Sequence, residues 1–305
     1  MRTAFIETLC ELAQTDERIW LLTGDLGFSV LERFGNYFPE RFVNMGVAEQ
    51  NMTGVAAGLA LTGKTVFTYS IANFPVIRCL EQIRNDVCYH NLNVKIVAVG
   101  GGVTYGTAGY SHHGIEDIAL MQSMPNMTVI TPTDPFETKQ VMHAIISKNG
   151  PCYLRLGRGG EPNIYGNLSP FEIGKATCLN EGTEIAIFST GPIISEVLKA
   201  LVYLKKNNVN PYVINFPTLK PFDDETVKQI ASKVTNIFTV DEHTSYGGFT
   251  GSVSKAMAMS GFNCKLTQIC LTDEYISITG TQSYLHKYHG IDAEFICKKI
   301  LEVLK

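Results

Sequence analysis

Short apolar runs alternate with helix-like segments along most of the chain. The runs predicted as buried strands in the first half of the sequence are 19–23, 41–45, 65–70, 94–99, 128–131 and 152–156. The segments between them, including 49–63, 74–89 and 134–148, have the length and apolar spacing of helices. Strands that alternate with helices are typical of parallel α/β architecture. The pattern therefore predicts one doubly wound α/β domain over residues 1–160.

The alternation is interrupted and then begins again. Residues 161–182 are rich in glycine, proline and asparagine, which indicates a linker. Further apolar runs follow at 184–189, 212–216, 237–240 and 266–271, and a C-terminal helix is predicted over 290–304. Residues 183–305 are therefore predicted to form a second doubly wound α/β domain.

One acidic residue, Glu49, lies where a predicted strand turns into a helix. The helix that it begins is rich in small residues, with Gly54, Ala56, Ala57, Gly58 and Ala60, so it can pack very close to its neighbours. An acid at this position is either a first-turn residue favoured by the helix dipole or a placed catalytic group.

Ligands in open α/β sheets bind outside the carboxyl ends of the strands. Four loops of the first predicted domain carry polar or aromatic groups at such ends, namely 24–29, 46–49, 69–74 and 100–113. The second domain has one comparable stretch, 241–248, which is either a site or an interface loop.

Composition narrows the class of protein. The chain has 305 residues, 45% of them hydrophobic and 18% charged, which is typical of a globular protein with a large core. A net charge of −4 gives no reason to expect binding to nucleic acid or to an anionic membrane.

The 8 cysteines contain no C-x-x-C pair, and most lie in apolar runs. Buried, reduced thiols are therefore expected rather than disulfides or a zinc site. Acidic residues interrupt the N-terminal segment, so it does not resemble a signal peptide, and no apolar run has the roughly 18 residues that span a bilayer. We expect a cytoplasmic protein.

Several common signatures are absent from the sequence. It has neither a Walker A motif nor a G-x-G-x-x-G after the first strand, and no G-x-S-x-G. The adjacent pair His112 and His113 cannot easily chelate a metal together. His286 and His289 have no evident acidic or cysteine partner, so they are predicted to be surface residues. No metal ligands are assigned.

A set of motifs resembles the transketolase family in both content and order. These motifs are Gly46-Val47-Ala48-Glu49-Gln50, Glu81-Gln82-Ile83-Arg84-Asn85, Met124-Pro125-Asn126-Met127, Thr131-Pro132-Thr133-Asp134, and Gly191 with Asp241 and Gly247-Gly248. The resemblance covers nearly the whole chain and is to the pyrimidine-binding domain followed by the C-terminal domain. It implies the second subunit of a two-subunit, or split, transketolase, with thiamine diphosphate as cofactor.

The resemblance implies roles for four cofactor-binding residues. Glu49 would be the catalytic carboxyl that hydrogen-bonds N1′ of the aminopyrimidine, Phe74 would stack on that ring, and Asp25 and Leu26 would line the site. A carboxyl in a pocket closed to water would favour the cofactor's imino tautomer. Ile71 stands where many transketolases have a further aromatic residue, so less of the ring would be covered.

The resemblance also implies a substrate site. Arg2, Ser29 and Arg158 match positions that hold the phosphate of a sugar phosphate, and arginine suits that role because its guanidinium forms two parallel hydrogen bonds. His112 matches a catalytic histidine that hydrogen-bonds substrate oxygens near the reacting carbon.

Two positions depart from the family pattern. Gly100 stands where transketolases usually have a phosphate-binding histidine, and Ala108 stands where they have an aspartate that contacts substrate hydroxyls. A different donor or acceptor sugar is therefore expected, and His113 and Tyr110 could compensate.

A G-D-G…N motif holds the cofactor's diphosphate and Mg²⁺ in this family, and no G-D-G occurs in this sequence. We therefore expect a partner subunit that holds both, and a homodimer of this chain within an α2β2 assembly. Two alternatives remain open. One is a β-type subunit of a 2-oxoacid dehydrogenase E1, and the other is a non-catalytic, transketolase-like partner.

Overall fold

The computed structural model describes residues 1–165 and 171–305, so residues 166–170 of the predicted linker lie outside the described part. The fold is α/β, as predicted, with two sheets in which parallel pairing dominates. The first sheet has seven strands: β1 (Ile19–Thr23), β2 (Phe42–Asn44), β3 (Thr65–Ile71), β4 (Val94–Val99), β5 (Thr128–Ile130), β6 (Cys152–Leu156) and β10 (Thr218–Lys220). Their order in the sheet is β10-β5-β6-β4-β3-β1-β2.

The second sheet has five strands. They are β7 (Thr177–Asn180), β8 (Ile185–Ser189), β9 (Tyr212–Asn215), β11 (Asn236–Val240) and β12 (Lys265–Ile269), in the order β12-β11-β8-β9-β7. Strand β7 lies within the predicted linker and pairs antiparallel with β9 at the edge of the sheet. The alternation of apolar and polar residues along β7 is weak because no residue of this edge strand is buried.

Strand β10 was not predicted. This strand of three residues pairs antiparallel with β5, with Thr218 opposite Ile130. It comes from the part of the chain predicted as the second domain, yet it extends the first sheet. A run of three residues is too short for a period-2 pattern to stand out, so the strand is visible only in the tertiary structure.

Twelve helices cover the sheets in the described ranges. They are α1 (Arg2–Thr15), α2 (Glu32–Tyr37), α3 (Glu49–Leu61), α4 (Phe74–Ile77), α5 (Leu80–Gln82), α6 (Asp117–Ser123), α7 (Pro135–Ile146), α8 (Ile194–Lys206), α9 (Asp224–Ala231), α10 (Gly248–Ser260), α11 (Gln282–His289) and α12 (Ala293–Val303). None of the helices in these ranges is both long and apolar enough to span a bilayer.

The single helix predicted over 74–89 is wrong. The segment is divided into α4, α5 and a π-helical stretch, Ile83–Cys88. The backbone departs from helical geometry at Cys79, where φ is −108° and ψ is 9°. Helical spacing of apolar residues survives such a break, so the pattern could not reveal it. The break places Arg78 at the end of α4, next to Glu49.

Strand β4 is buried along its whole length. This includes Lys95, the one charged residue in an otherwise apolar run. The Lys95 ammonium donates to the carbonyl oxygens of Lys148 (2.7 Å) and Gly150 (2.8 Å). Burial lowers the pKa of this lysine to about 8. Lys95 therefore fixes the turn that follows α7 to the sheet.

All eight cysteines are free thiols, as expected. Five of them are buried, namely Cys10, Cys79, Cys88, Cys152 and Cys297. Cys178 is exposed, and Cys264 and Cys270 are partly exposed, so the expectation of burial fails for these three.

Candidate functional site

Glu49 begins helix α3 immediately after the β2 loop, and it is 2% exposed. Both carboxylate oxygens are paired: Ser70 Oγ donates to Oε1 (3.1 Å), and Arg78 Nη1 donates to Oε2 (3.1 Å). A first-turn acid that served only the helix dipole would point to water. Glu49 instead points into the protein, between the ends of β1 and β3.

Close backbone approach completes this environment. A Cβ atom on Gly24 would lie 3.3 Å from Glu49 Oε1, so any side chain at residue 24 would crowd the carboxylate. The next residue, Asp25, adopts a positive φ of 57°. Its carboxylate accepts from Asn44 Nδ2 (2.9 Å), and its amide donates to Asn44 Oδ1 (3.1 Å). These bonds join the loop after β1 to the last residue of β2.

The other residue predicted in this loop, Leu26, is half-buried. Its carbonyl oxygen accepts a hydrogen bond from Thr23 Oγ1 (2.8 Å). Asp25 and Leu26 therefore directly follow Gly24, the residue whose Cβ position faces the Glu49 carboxylate, and Asp25 itself is exposed.

Phe74 contacts both His112 and the arginine that pairs with Glu49. The Arg78 guanidinium that pairs with Glu49 lies over the Phe74 ring, with Cζ 4.2 Å from the ring centroid. His112 meets the same ring edge-on, with the two centroids 5.2 Å apart. Asn73 anchors the histidine's loop by donating to the Ser111 carbonyl oxygen (2.8 Å). The structure thus brings together three of the residues predicted from the sequence.

Two residues of this cluster, Ser70 and Arg78, were not predicted. Ser70 is the penultimate residue of β3. It lies within the range 69–74, which the sequence already predicts to face the site. Arg78 has no such signal, because it follows a helical pattern whose break at Cys79 is invisible in the sequence.

The triplet Gly100, Gly101 and Gly102 follows β4, and each glycine leaves space for a side chain from elsewhere. A Cβ on Gly100 would overlap the ring of Tyr105, one on Gly101 would overlap Arg155, and one on Gly102 would overlap Glu242. A histidine at residue 100 would therefore have no room, because the Tyr105 ring fills the space that its side chain would need.

Tyr105 in turn contacts one of the predicted phosphate residues. The exposed Arg158 guanidinium lies over the Tyr105 ring, with Cζ 5.2 Å from its centroid. Arg2 approaches the same strand end, because a Cβ on Gly159 would lie 3.8 Å from Arg2 Nη2. Ser29 lies on a separate loop with φ of 63°, where its amide donates to Glu32 Oε1 (2.8 Å).

The loop after β4 also carries Ala108 and His113. Ala108 is exposed, and its methyl group is smaller than the aspartate side chain expected there from the resemblance. His113 is 1% exposed, and neither ring nitrogen has a hydrogen-bond partner among the described residues. Burial lowers the pKa of His113 and so favours its neutral form.

A buried polar network crosses from this loop to the second sheet. Arg155, from β6, donates to Asp117 Oδ2 (2.8 Å) and to the carbonyl oxygens of Gly114 (2.8 Å) and Glu242 (3.0 Å). The Glu242 carboxylate accepts from the Val103 amide (2.9 Å). The stretch 241–248 is therefore part of the contact between the two sheets' loops.

The prediction that His286 and His289 are surface residues is wrong. Each is 7% exposed, and His286 Nε2 lies 3.0 Å from Glu242 Oε1. The partner was missed because it is 44 residues away in the sequence.

Burial opposes charge on both members of this pair, but their mutual attraction prevails. Burial alone would raise the pKa of Glu242, yet His286 and Arg155 outweigh it and hold the pKa below its usual value. Burial alone would lower the pKa of His286, yet Glu242 outweighs it and raises the pKa. The pair is therefore a buried ion pair.

Two family profiles match the chain. The profile described as "Transketolase, pyrimidine binding domain" matches residues 1–161, and "Transketolase, C-terminal domain" matches residues 174–296. A Methanocaldococcus jannaschii protein named as a transketolase C-terminal section is 43% identical over 100% of this chain and 96% of its own length. An apulose-4-phosphate transketolase subunit of Phocaeicola vulgatus is 35% identical over 100% of this chain and 97% of its own length.

A solved structure is also similar along the whole chain. The chain described as "Split gene transketolase, inactive beta4 tetramer" superimposes with a TM-score of 0.89 at 35% identity. The match covers 99% of this chain and 97% of that one.

Proposed function

Because the chain belongs to the transketolase family, we propose that it is the second subunit of a two-subunit transketolase. Such an enzyme transfers a two-carbon ketol unit from a ketose donor to an aldehyde acceptor. Relatives of similar length are named as a C-terminal section and as one subunit of a transketolase, which supports a chain that works with a partner.

The observation that carries the proposal is that Glu49 and Phe74 contact the same group, the Arg78 guanidinium. A buried carboxylate and an aromatic face enclose one planar, hydrogen-bond-donating cation, the Arg78 guanidinium. A protonated aminopyrimidine has the same features: it is planar, it stacks, and it donates N–H bonds to a carboxylate. The residues present therefore fit the pyrimidine half of thiamine diphosphate.

Thiamine diphosphate would supply the nucleophilic carbon that accepts and releases the ketol unit. Glu49 would hold N1′, Ser70 would orient the Glu49 carboxyl, and Phe74 would stack on the ring. Asp25 and Leu26 would border the pocket. The partner subunit would hold the diphosphate and Mg²⁺.

Arg2 and Arg158 favour a phosphorylated sugar as substrate. Both guanidinium groups lie at the carboxyl end of β6, and Arg158 is exposed. Ser29 would join them from the loop after β1. His112, with Nδ1 3.0 Å from Ser111 Oγ, would hydrogen-bond substrate oxygens between the phosphate and the cofactor.

The similar chain described as an inactive β4 tetramer supports self-association of this chain. We propose a heterotetramer in which a homodimer of this chain binds two partner subunits. Light scattering of the co-purified complex tests this stoichiometry.

Glu49→Gln in the reconstituted complex tests the function. Ketol transfer should fall by about a hundredfold or more, the range that positioned acid–base groups contribute, while the complex still assembles. Glu302→Gln, an exposed carboxylate on α12, is the matched control and should leave transfer unchanged. Normal turnover by the Glu49 variant would contradict the proposal. Release of CO2 from a 2-oxo acid without ketol transfer would favour the dehydrogenase alternative.

A further inference from the structure

Arg78 lies at a position where its backbone is fixed and its side chain can move. Its carbonyl oxygen accepts from Gln50 Nε2 (2.9 Å), which fastens the end of α4 to the start of α3. Its side chain is 49% exposed, while that of Glu49 is 2% exposed. An arginine anchored in this way can withdraw into solvent without any change in the backbone.

The Arg78 guanidinium makes two contacts at once. Nη1 lies 3.1 Å from Glu49 Oε2, and Cζ lies 4.2 Å from the centroid of the Phe74 ring. These partners are the same two that the proposed function assigns to the aminopyrimidine. A guanidinium and a protonated aminopyrimidine are both planar cations with N–H donors along an edge, so the two cannot occupy the site together.

We propose that Arg78 occupies the aminopyrimidine position while the cofactor is absent and withdraws when thiamine diphosphate binds. The proposal rests on the proposed function, because it takes Glu49 and Phe74 as the cofactor's partners. Its physical basis is the cost of a buried carboxylate without a partner. Arg78 supplies the missing charge and hydrogen bonds, and the cofactor later replaces both.

Binding of the cofactor then competes with an internal ligand. Only molecules in which Arg78 already lies outside the site can bind the cofactor. The observed affinity is therefore the intrinsic affinity multiplied by the fraction of such molecules. Removing the guanidinium should therefore strengthen cofactor binding, although it removes a cation from beside an anionic ligand. A residue that simply attracted the diphosphate would give the opposite result.

Arg33 provides a matched control. Its side chain is 48% exposed, Nη1 lies 3.5 Å from Glu7 Oε1, and its Cζ is 5.9 Å from the centroid of the Tyr37 ring. It thus has the same kinds of partner as Arg78, but on the surface of α1 and α2.

The test is calorimetric and stopped-flow titration of the reconstituted complex with thiamine diphosphate and Mg²⁺. Arg78→Gln should bind the cofactor about twofold to fivefold more tightly, the range that corresponds to the free energy of a half-exposed ion pair, and should bind it faster. Arg33→Gln should match the wild type. Equal or weaker binding by Arg78→Gln would overturn the proposal.

Two further measurements keep the outcome clear. If Arg78→Gln does not fold, Arg78→Lys keeps the charge but loses the planar stacking, and it should bind the cofactor faster than the wild type; no change in that rate would overturn the proposal. Failure of the proposed function would look different. In that case the wild-type complex would bind no thiamine diphosphate, or would bind it as tightly as the Glu49→Gln complex does.

Discussion

The ring of Tyr105 occupies the space that a side chain on Gly100 would need. Gly100 also has a positive φ of 78°, which favours glycine. The loop after β4 therefore depends on this glycine for two separate reasons, and the two can be measured separately.

Gly100→Ala should lower the free energy of unfolding by about 2–4 kcal/mol, because strain at positive φ adds to the overlap with Tyr105. Gly63→Ala is the matched control, since Gly63 has φ of 87° with open space around its Cβ position. It should cost only about 1 kcal/mol. Urea denaturation measures both. Equal losses would show that Tyr105 is not the obstacle.

The Glu242–His286 ion pair should make stability depend on pH in a predictable direction. The pKa of His286 is raised, so its contribution is complete below the unfolded value of about 6.5 and is lost as pH rises through the folded value. The pKa of Glu242 is lowered, so its contribution is lost only as pH falls through that lower value.

His286→Asn should therefore lose stability at pH 6, by about 3–5 kcal/mol, because Glu242 is left buried without its partner. The variant should also show a flatter decline in unfolding free energy above pH 6.5 than the wild type. The exposed His90→Asn serves as control. A parallel decline in wild type and His286→Asn would contradict the ion pair.

Asp241, like His286, should make stability fall as pH rises through neutrality. It is 1% exposed, and neither carboxylate oxygen has a hydrogen-bond partner among the described residues. Burial raises its pKa to about 8, with Arg155 opposing the shift. A raised folded pKa means that stability is present at low pH and is lost as pH rises from about 4 through about 8.

Asp241→Asn has nearly the same shape and no charge. It should stabilise the protein at pH 8 by about 1 kcal/mol or more and have little effect at pH 4. Chemical denaturation at the two pH values measures the change, with the exposed Asp273→Asn as control. A variant that is less stable at pH 8 would show that the carboxylate is ionised and paired.

Ser70→Ala tests how far the orientation of Glu49 matters. Ser70 Oγ donates to Glu49 Oε1 at 3.1 Å, and Ser70 is fully buried. Its loss should lower kcat of the reconstituted complex by about tenfold, the effect of one hydrogen bond of about 1.4 kcal/mol. The phosphorylated substrate's KM should change little, because the two proposed phosphate-binding arginines are unaffected. An unchanged kcat would remove Ser70 from the site.

Much of the fold could be predicted because strands β1, β4, β6 and β8 are largely buried, mostly apolar runs of five or six residues. Short or edge strands could not be, as β10 shows. The helical break at Cys79 was equally hidden, since backbone torsion at one residue leaves apolar spacing intact.

The candidate site was predicted in part for similar reasons. Glu49, Phe74 and His112 each follow a strand end, where the sheet's geometry forces convergence. The His286–Glu242 pair and the packing of Tyr105 over Gly100 depend on residues far apart or on loop conformation. Neither leaves a periodic trace in the sequence.

The role of Glu49 is tested most directly by exchange of the C2 proton of thiamine diphosphate. The exchange is followed by proton NMR in D2O on the complex of this chain with its diphosphate-binding partner, and it requires no knowledge of the sugar substrate. Wild-type complex should exchange this proton at least about a hundredfold faster than Glu49→Gln. Equal exchange rates in the two complexes, with the cofactor bound in both, would contradict the assignment of Glu49 as the activating carboxyl.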